Sequence, residues 1–161
     1  MSNHYTIALD AMGGDFGPGI VVPAAAQAQE ELGGKIRFLL FGDQDKIAPI
    51  LDNYPRLKDI SQICHTDKMI ANDEKPSIAL RSGKDSSMRL AIDAVKNGEA
   101  AGIVSAGNTG ALMATAKMVL KCLPGINRPA IASVMPTIAE DTVMLDLGAN
   151  ISCDAEILVQ F

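Results

Sequence analysis

Six residues, Ser105-Ala106-Gly107-Asn108-Thr109-Gly110, follow the short apolar run Gly102-Ile103-Val104 and precede an Ala/Leu/Met stretch that reads as a helix. Such a junction is suited to holding an anion. Gly107 and Gly110 carry no Cβ, so main chain can approach a ligand closely. The first amides of a helix lack acceptors of their own and carry a partial positive charge, worth about 0.3–1 kcal/mol to an anion. Ser105, Asn108 and Thr109 add side-chain donors, and phosphate is the natural guest. The competing reading is a plain strand-to-helix turn with Thr109 as N-cap.

Two further loops combine glycine with polar side chains: Asp10 to Gly17, which contains Gly13, Gly14 and Asp15, and Asp146 to Asn150. All three loops are expected at the carboxyl ends of strands, where open α/β sheets bind their ligands. The stretch KPSIALRSGKDSSMR, residues 75–89, holds four basic residues and one acidic one. Lys84 can meet an anion there while Ser86 and Ser87 donate to it. The alternative is an ordinary helix start, capped by Asp85 or Ser86, with a solvated basic flank.

Spacing argues against other chemistries. A Walker A loop ending at Gly83-Lys84 needs Gly at 78 and Ser or Thr at 85, where the chain has Ile78 and Asp85. Glycines 13, 14, 17 and 19 make no G-x-G-x-x-G in any register. Asp10, Asp15 and Asp146 match no compact metal motif, and neither His4 nor His65 has a second ligand at helical spacing. No Ser-His or Cys-His arrangement suggests a covalent triad. The expectation is therefore a site without metal or cofactor.

These loops need elements to hold them, and strand and helix patterns alternate along the chain. Strands are predicted at Tyr5 to Leu9, Ile36 to Phe41, Ile60 to His65 and Ala101 to Val104. Helices are predicted from about Pro18 to Leu32, stopped by Gly33-Gly34, and after Asp43 to near Leu51. Residues 67–75 read as polar and irregular. Met88, Ala91, Ile92 and Val95 fall at i, i+3, i+4 and i+7, one face of a helix that starts near Asp85 and ends at Asn97-Gly98. A further helix is predicted from Ala111 to Lys121. Ala130 to Met135 and Thr142 to Leu147 are two more strands, separated by residues 136–141, too few for a helical crossover. At least one antiparallel pair is thus expected in an otherwise parallel sheet. Apolar strands without alternation imply helices on both faces, an α/β architecture.

The bulk numbers agree with one globular α/β domain: 161 residues, 48% hydrophobic and 20% charged. A net charge of -5 argues against general nucleic-acid binding. Cys64, Cys122 and Cys153 show no metal spacing and read as reduced thiols of a cytoplasmic protein. No signal peptide pattern opens the chain, and no apolar run reaches the length of a membrane span. Cys153 to Phe161 reads as a helix just starting, without a stop signal. A chain cut short after Phe161 is the expectation, the alternative being a short docking tail.

Five stretches in order, IALDAMGGDFGP (7–18), IALRSGKDSSM (78–88), VSAGNTGALMA (104–114), LPGINRPAIA (123–132) and LDLGAN (145–150), together resemble the bacterial phosphate acyltransferase (PlsX) family over essentially the whole chain. The resemblance implies a three-layer α/β/α sandwich with a mostly parallel, mixed sheet, similar to phosphotransacetylases and isocitrate/isopropylmalate dehydrogenases. It implies formation of acyl phosphate from acyl-acyl-carrier-protein and inorganic phosphate, feeding phospholipid synthesis. It also implies a cytoplasmic homodimer with peripheral membrane association, and neither metal nor nucleotide. Family members are roughly twice as long, and the chain departs from their pattern at Ser152, where they carry Asp.

On this reading Gly107, Asn108, Thr109, Gly110 and Ser105 cradle phosphate, with Asn108 and Lys84 as the catalytic candidates. Ser86 and Ser87 bring donors to the same mouth. Gly13 and Gly14 line it, and Asp10, Asp15 and Asn150 orient these groups or meet the thioester arm. Arg81 and Arg89 attract an acidic carrier protein. Two other readings stay open: a non-catalytic binding or dimerising segment, and phosphotransacetylase-like transfer from acyl-CoA.

Overall fold

The structure, a computed structural model, describes residues 4–150 and 152–161. The chain forms two compact units, Met1–Val119 and Leu120–Phe161.

The first unit is built on a four-stranded sheet of β1 (Tyr5–Asp10), β2 (Ile36–Gly42), β3 (Ser61–His65) and β4 (Gly102–Val104), in the order β3-β2-β1-β4. Every pairing is parallel. β1 and β2 are apolar on both faces, as a doubly covered sheet requires. On one face Leu9, Phe38 and Leu40 pack with Val22 and Ala25 of α1 (Pro18–Glu31) and with Ile47 and Leu51 of α2 (Gln44–Leu51). The short α3 (Pro55–Lys58) adds Leu57 to that cluster. On the opposite face Ala8 and Phe41 pack with Ala91 and Ala94 of α5 (Ser87–Lys96). Met88 and Ile92 of α5 then meet Ala111 and Val119 of α6 (Thr109–Leu120). The result is the expected α/β/α layering.

Local signals explain most boundaries. The Asp43 carboxylate accepts from the Asp45 amide and caps α2. Gly33 and Gly34 sit at φ 62° and 71°, and the Gly34 amide donates back to the Gln29 carbonyl, closing α1. Two helices went unread in the sequence, α3 and α4 (Pro76–Ser82). Both open on a proline in the first turn, where the missing N–H costs nothing.

The second unit contains β5 (Ser133–Pro136), β6 (Asp141–Met144) and α7 (Ala155–Gln160). β5 and β6 pair antiparallel, as their short connection demands, but they form a two-stranded sheet of their own. The expectation of an antiparallel pair within the parallel sheet is corrected accordingly. Both strands are also shorter than predicted. Beyond Ser133 and Met144 the Ile131 amide donates to the Asp146 side chain rather than to a ladder carbonyl, which ends regular pairing.

Candidate functional site

The chain winds from β1 to β2 to β3 in one direction and then returns to place β4 on the other side of β1. Strand order therefore reverses between β1 and β4, and the crevice beyond their carboxyl ends is the favoured ligand position in such a sheet. The loops that leave these two strands are residues 11–17 and 105–108.

Asp10, the last residue of β1, is only 2% exposed. Its carboxylate accepts from the Ser87 hydroxyl at 2.6 Å and from the Ser105 hydroxyl at 2.7 Å. Ser105 Oγ in turn accepts from the Gly107 amide at 3.1 Å. One buried carboxylate thus ties the end of β1, the first residue of α5 and the loop after β4. Gly13 sits against this node. A Cβ there would lie 2.7 Å from Asp10 Oδ2 and 3.0 Å from both the Gly107 nitrogen and Ser105 Oγ. Gly14 lies beside Ala106 in the same way, so the two loops touch through main chain.

Asn108 caps α6: its Oδ1 accepts from the Ala111 amide at 2.9 Å. This corrects the cap assignment to Thr109, which is exposed and is the first residue of the helix. The side-chain amide of Asn108 faces the loop after β3 and donates to the carbonyls of Ala71, Asn72 and Glu74 at 3.2, 3.1 and 2.7 Å. Asn72 Nδ2 donates to Asp15 Oδ1 at 2.7 Å. Three loops, after β1, β3 and β4, are therefore bound into one mouth. The contribution of residues 71–74 was not legible beforehand; Asn72, in a stretch read only as irregular, was the available signal.

Ser86 and Ser87 are both about 1% exposed and have separate tasks. Ser86 Oγ donates to the Gly83 carbonyl at 2.7 Å and accepts from the Arg89 amide at 3.3 Å, capping α5. Ser87 joins the Asp10 node. Lys84 is exposed in the turn between α4 and α5. Its neighbour Asp85 is held below the usual carboxylate range chiefly by a hydrogen bond from Lys68, whose ammonium also attracts it. The Thr66 hydroxyl donates to the Asp85 carbonyl at 2.6 Å and the Ser87 amide to the Lys68 carbonyl at 3.0 Å, pinning the start of α5 to the end of β3. Gly110 completes the mouth's close packing, since a Cβ there would lie 2.9 Å from Pro76 Cγ.

What the mouth offers a ligand is main-chain N–H. The Ala111 amide is taken by Asn108, whereas the amides of Asn108, Thr109 and Gly110 have no acceptor among the described residues. Three successive donors at a helix start suit an oxyanion.

Asn150 lies in the second unit, with Asp146. Asp146 Oδ1 accepts from the Ile131 amide at 2.7 Å, and Oδ2 accepts from the Asn150 amide at 2.6 Å and from Asn150 Nδ2 at 3.1 Å. Asn150 Nδ2 also donates to the Pro129 carbonyl at 3.2 Å. Burial pushes the Asp146 carboxyl up, but these donors together hold it below its usual range.

The sequence matches the family described as "Fatty acid synthesis protein" over residues 5–161. It is 59% identical over 161 residues to the phosphate acyltransferase of Rhodospirillum centenum, covering 100% of this chain and 45% of that protein. It is 52% identical over 161 residues to the phosphate acyltransferase of Paramagnetospirillum magneticum, covering 100% of this chain and 46% of that one. The phosphate acyltransferase of Vibrio campbellii is 54% identical over 158 residues, 97% of this chain and 46% of the relative. The chain spans about half the length of these relatives.

Proposed function

The chain belongs to the fatty acid synthesis protein family, and from that premise we propose that it carries the phosphate-binding half of a phosphate acyltransferase. The reaction is transfer of an acyl group from the thioester of acyl-acyl-carrier-protein to inorganic phosphate. A phosphate oxygen forms a bond to the thioester carbonyl carbon, the carbonyl oxygen becomes a tetrahedral oxyanion, and the C–S bond then breaks to release the thiol and acyl phosphate. The nucleophile arrives already charged, so no serine or cysteine has to be activated. The protein's task is to position it and to stabilise the oxyanion.

One observation carries the reading: the amides of residues 108–110 stand without acceptors among the described residues, at the sheet's switch point. They hold phosphate in this mechanism. Lys84 supplies positive charge from the rim. Gly13 and Gly14 let the two loops meet without side chains between them. Asp10 fixes Ser87 and Ser105, and Asn108, its side chain engaged on both ends, acts through the position of its loop. Asp15 holds the 71–74 loop through Asn72. The resemblance in sequence brings with it a homodimer that works in the cytoplasm and associates peripherally with the membrane.

Acyl phosphate formation, assayed with and without inorganic phosphate and with acyl-carrier-protein or CoA as the thioester carrier, tests the proposal. Phosphate-dependent product from acyl-acyl-carrier-protein is expected. Product from acyl-CoA alone transfers the assignment to phosphotransacetylase-like chemistry, and no product from either donor sinks it.

A further inference from the structure

We propose that His65 is a proton-operated latch on the loop after β1, so that pH sets how firmly the phosphate mouth is held. The consequence for phosphate rests on the reading of that mouth given above; the latch itself does not.

His65 ends β3 and is exposed to solvent. Its Nδ1 accepts from the amide of Gln44, the first residue of α2, at 3.1 Å. An imidazole nitrogen accepts only while it carries no proton, so this bond exists only with the ring neutral. The amides of a helix's first turn have no partner inside the helix. Here two of them are met by side chains, Gln44 by His65 and Asp45 by the Asp43 carboxylate.

Protonation turns Nδ1 into a donor that faces another donor. The acceptor beside it is then Asp43, whose carboxyl is held below its usual range chiefly by a hydrogen bond from Lys46, with His65 a smaller contributor. Asp43 therefore stays charged while His65 titrates, and it draws the imidazolium away from Gln44. The other charged groups of the segments that meet here are Asp45 of α2 and Asp67, two residues past His65. β2 brings only Gly42 to this end, paired with His65, while Arg56 and Lys58 of α3 precede the far end of β3.

Contacts on both sides of the ring lead to the mouth. The Asp43 amide donates to Met12 Sδ at 3.4 Å, and Met12, 6% exposed, directly precedes Gly13 in the loop after β1. A Cβ at Gly42 would lie 2.7 Å from Met12 Cγ, so the end of β2 and Met12 have no slack between them. The Thr66 amide donates to the Gly42 carbonyl at 2.9 Å, and the Thr66 hydroxyl holds the Asp85 carbonyl before α5. Movement at Asp43 and Gln44 thus reaches Met12, and through it the Gly13 that sits against Asp10 and Gly107. Direct attraction of an anion by the imidazolium is minor by comparison. β3 stands three places from β4 in the sheet, roughly 14 Å at about 4.8 Å per strand, beyond the Debye length of about 8 Å at physiological salt.

The isotopically labelled chain is titrated from about pH 8 to 5, the range in which histidine is the side chain that ordinarily changes charge. The His65 ring, the Asp43 and Gln44 amides, the Met12 methyl and the Gly13 amide should move with one midpoint. His65→Asn, whose amide oxygen offers an acceptor in place of Nδ1 and takes up no proton, should abolish the step at the other four groups. His65→Ala, with no acceptor, should hold Gln44 and Met12 near their acid positions at every pH. Inorganic phosphate affinity is measured on the parent and on His65→Asn at each pH, so that the ion's own titration cancels. The parent should weaken in acid relative to the variant by a few-fold and at most about tenfold, what one hydrogen bond is worth. A Gln44 amide that ignores the His65 midpoint, Met12 and Gly13 signals that stay still, or a step that survives in His65→Asn would overturn the latch. An affinity ratio that is flat with pH would overturn its hold on the mouth. Phosphate bound by neither protein at any pH sinks the phosphate reading instead, and the Met12 and Gly13 signals then decide the latch alone.

Discussion

Single atoms decide much at the β1–β4 mouth. A methyl group at position 13 would press on Asp10, Ser105 and the Gly107 amide together, and backbone and buried side chains cannot all retreat. Gly13→Ala is expected to cost about 1–3 kcal/mol, as overpacking typically does, read as a lower denaturant midpoint at unchanged slope. Asn108 separates two jobs that one side chain performs. Asn108→Asp keeps the acceptor for the Ala111 amide and removes the donors to residues 71–74, whereas Asn108→Ala removes both. The Ala variant should lose an additional ~0.5–2 kcal/mol from the missing cap. Hydrogen exchange should show faster opening of residues 71–74 in both variants, but fraying of the first turn of α6 only in Ala. Equal fraying in the two would contradict the division. These residues were legible unevenly. Glycine, serine and asparagine in the 105–110 loop raise the expectation of an anion site through their chemistry alone, and the structure adds the local contacts of that loop. That Asn108 would spend its amide on the loop after β3 depended on contacts 34 to 37 residues away in sequence, and no local pattern encodes those.

Elements were read well where their signals are local. The apolar face of α5, the glycine stop of α1 and the Asp43 cap of α2 all lie within a few residues of the boundary they set. α3 and α4 were missed because each is short and carries too few apolar positions to show a period. The β5–β6 pair was expected, yet its separation from the parallel sheet was not, because strand order is a long-range property. The loop after β6 has a pH response of its own. The folded pKa of Asp146 lies below its ordinary value, so its contribution to stability is whole above the unfolded carboxylate value of about 3.9 and is lost as pH falls through the folded value. The amide resonances of Ile131 and Asn150 should therefore titrate together in acid, and Asp146→Asn should abolish the step. Independent behaviour of the two amides would argue against the shared acceptor.

At the scale of the molecule, burial is distributed unequally. Among the described residues every buried hydrophobic side chain lies at or before Val119. The second unit leaves Leu123 77%, Val143 61% and Val159 86% exposed. Stability follows burial, so limited proteolysis should cut first after Val119 and leave the first unit as the resistant product. Cleavage within α5 or β2 before any cut in residues 120–161 would refute that ordering. No helix among the described residues is long and apolar enough to cross a membrane.

The Asp10 node has one more consequence. A single carboxylate grips hydroxyls from two segments, so the proposed occupancy of the mouth by phosphate implies a thermodynamic coupling to order at the start of α5. Whatever free energy an anion gains from finding the 105–110 loop already in place, the first turn of α5 gains from the anion, because such linkage is reciprocal. Saturating the protein with inorganic phosphate should slow amide exchange at Ser87 and its neighbours, and cutting the tether with Ser87→Ala should silence that response.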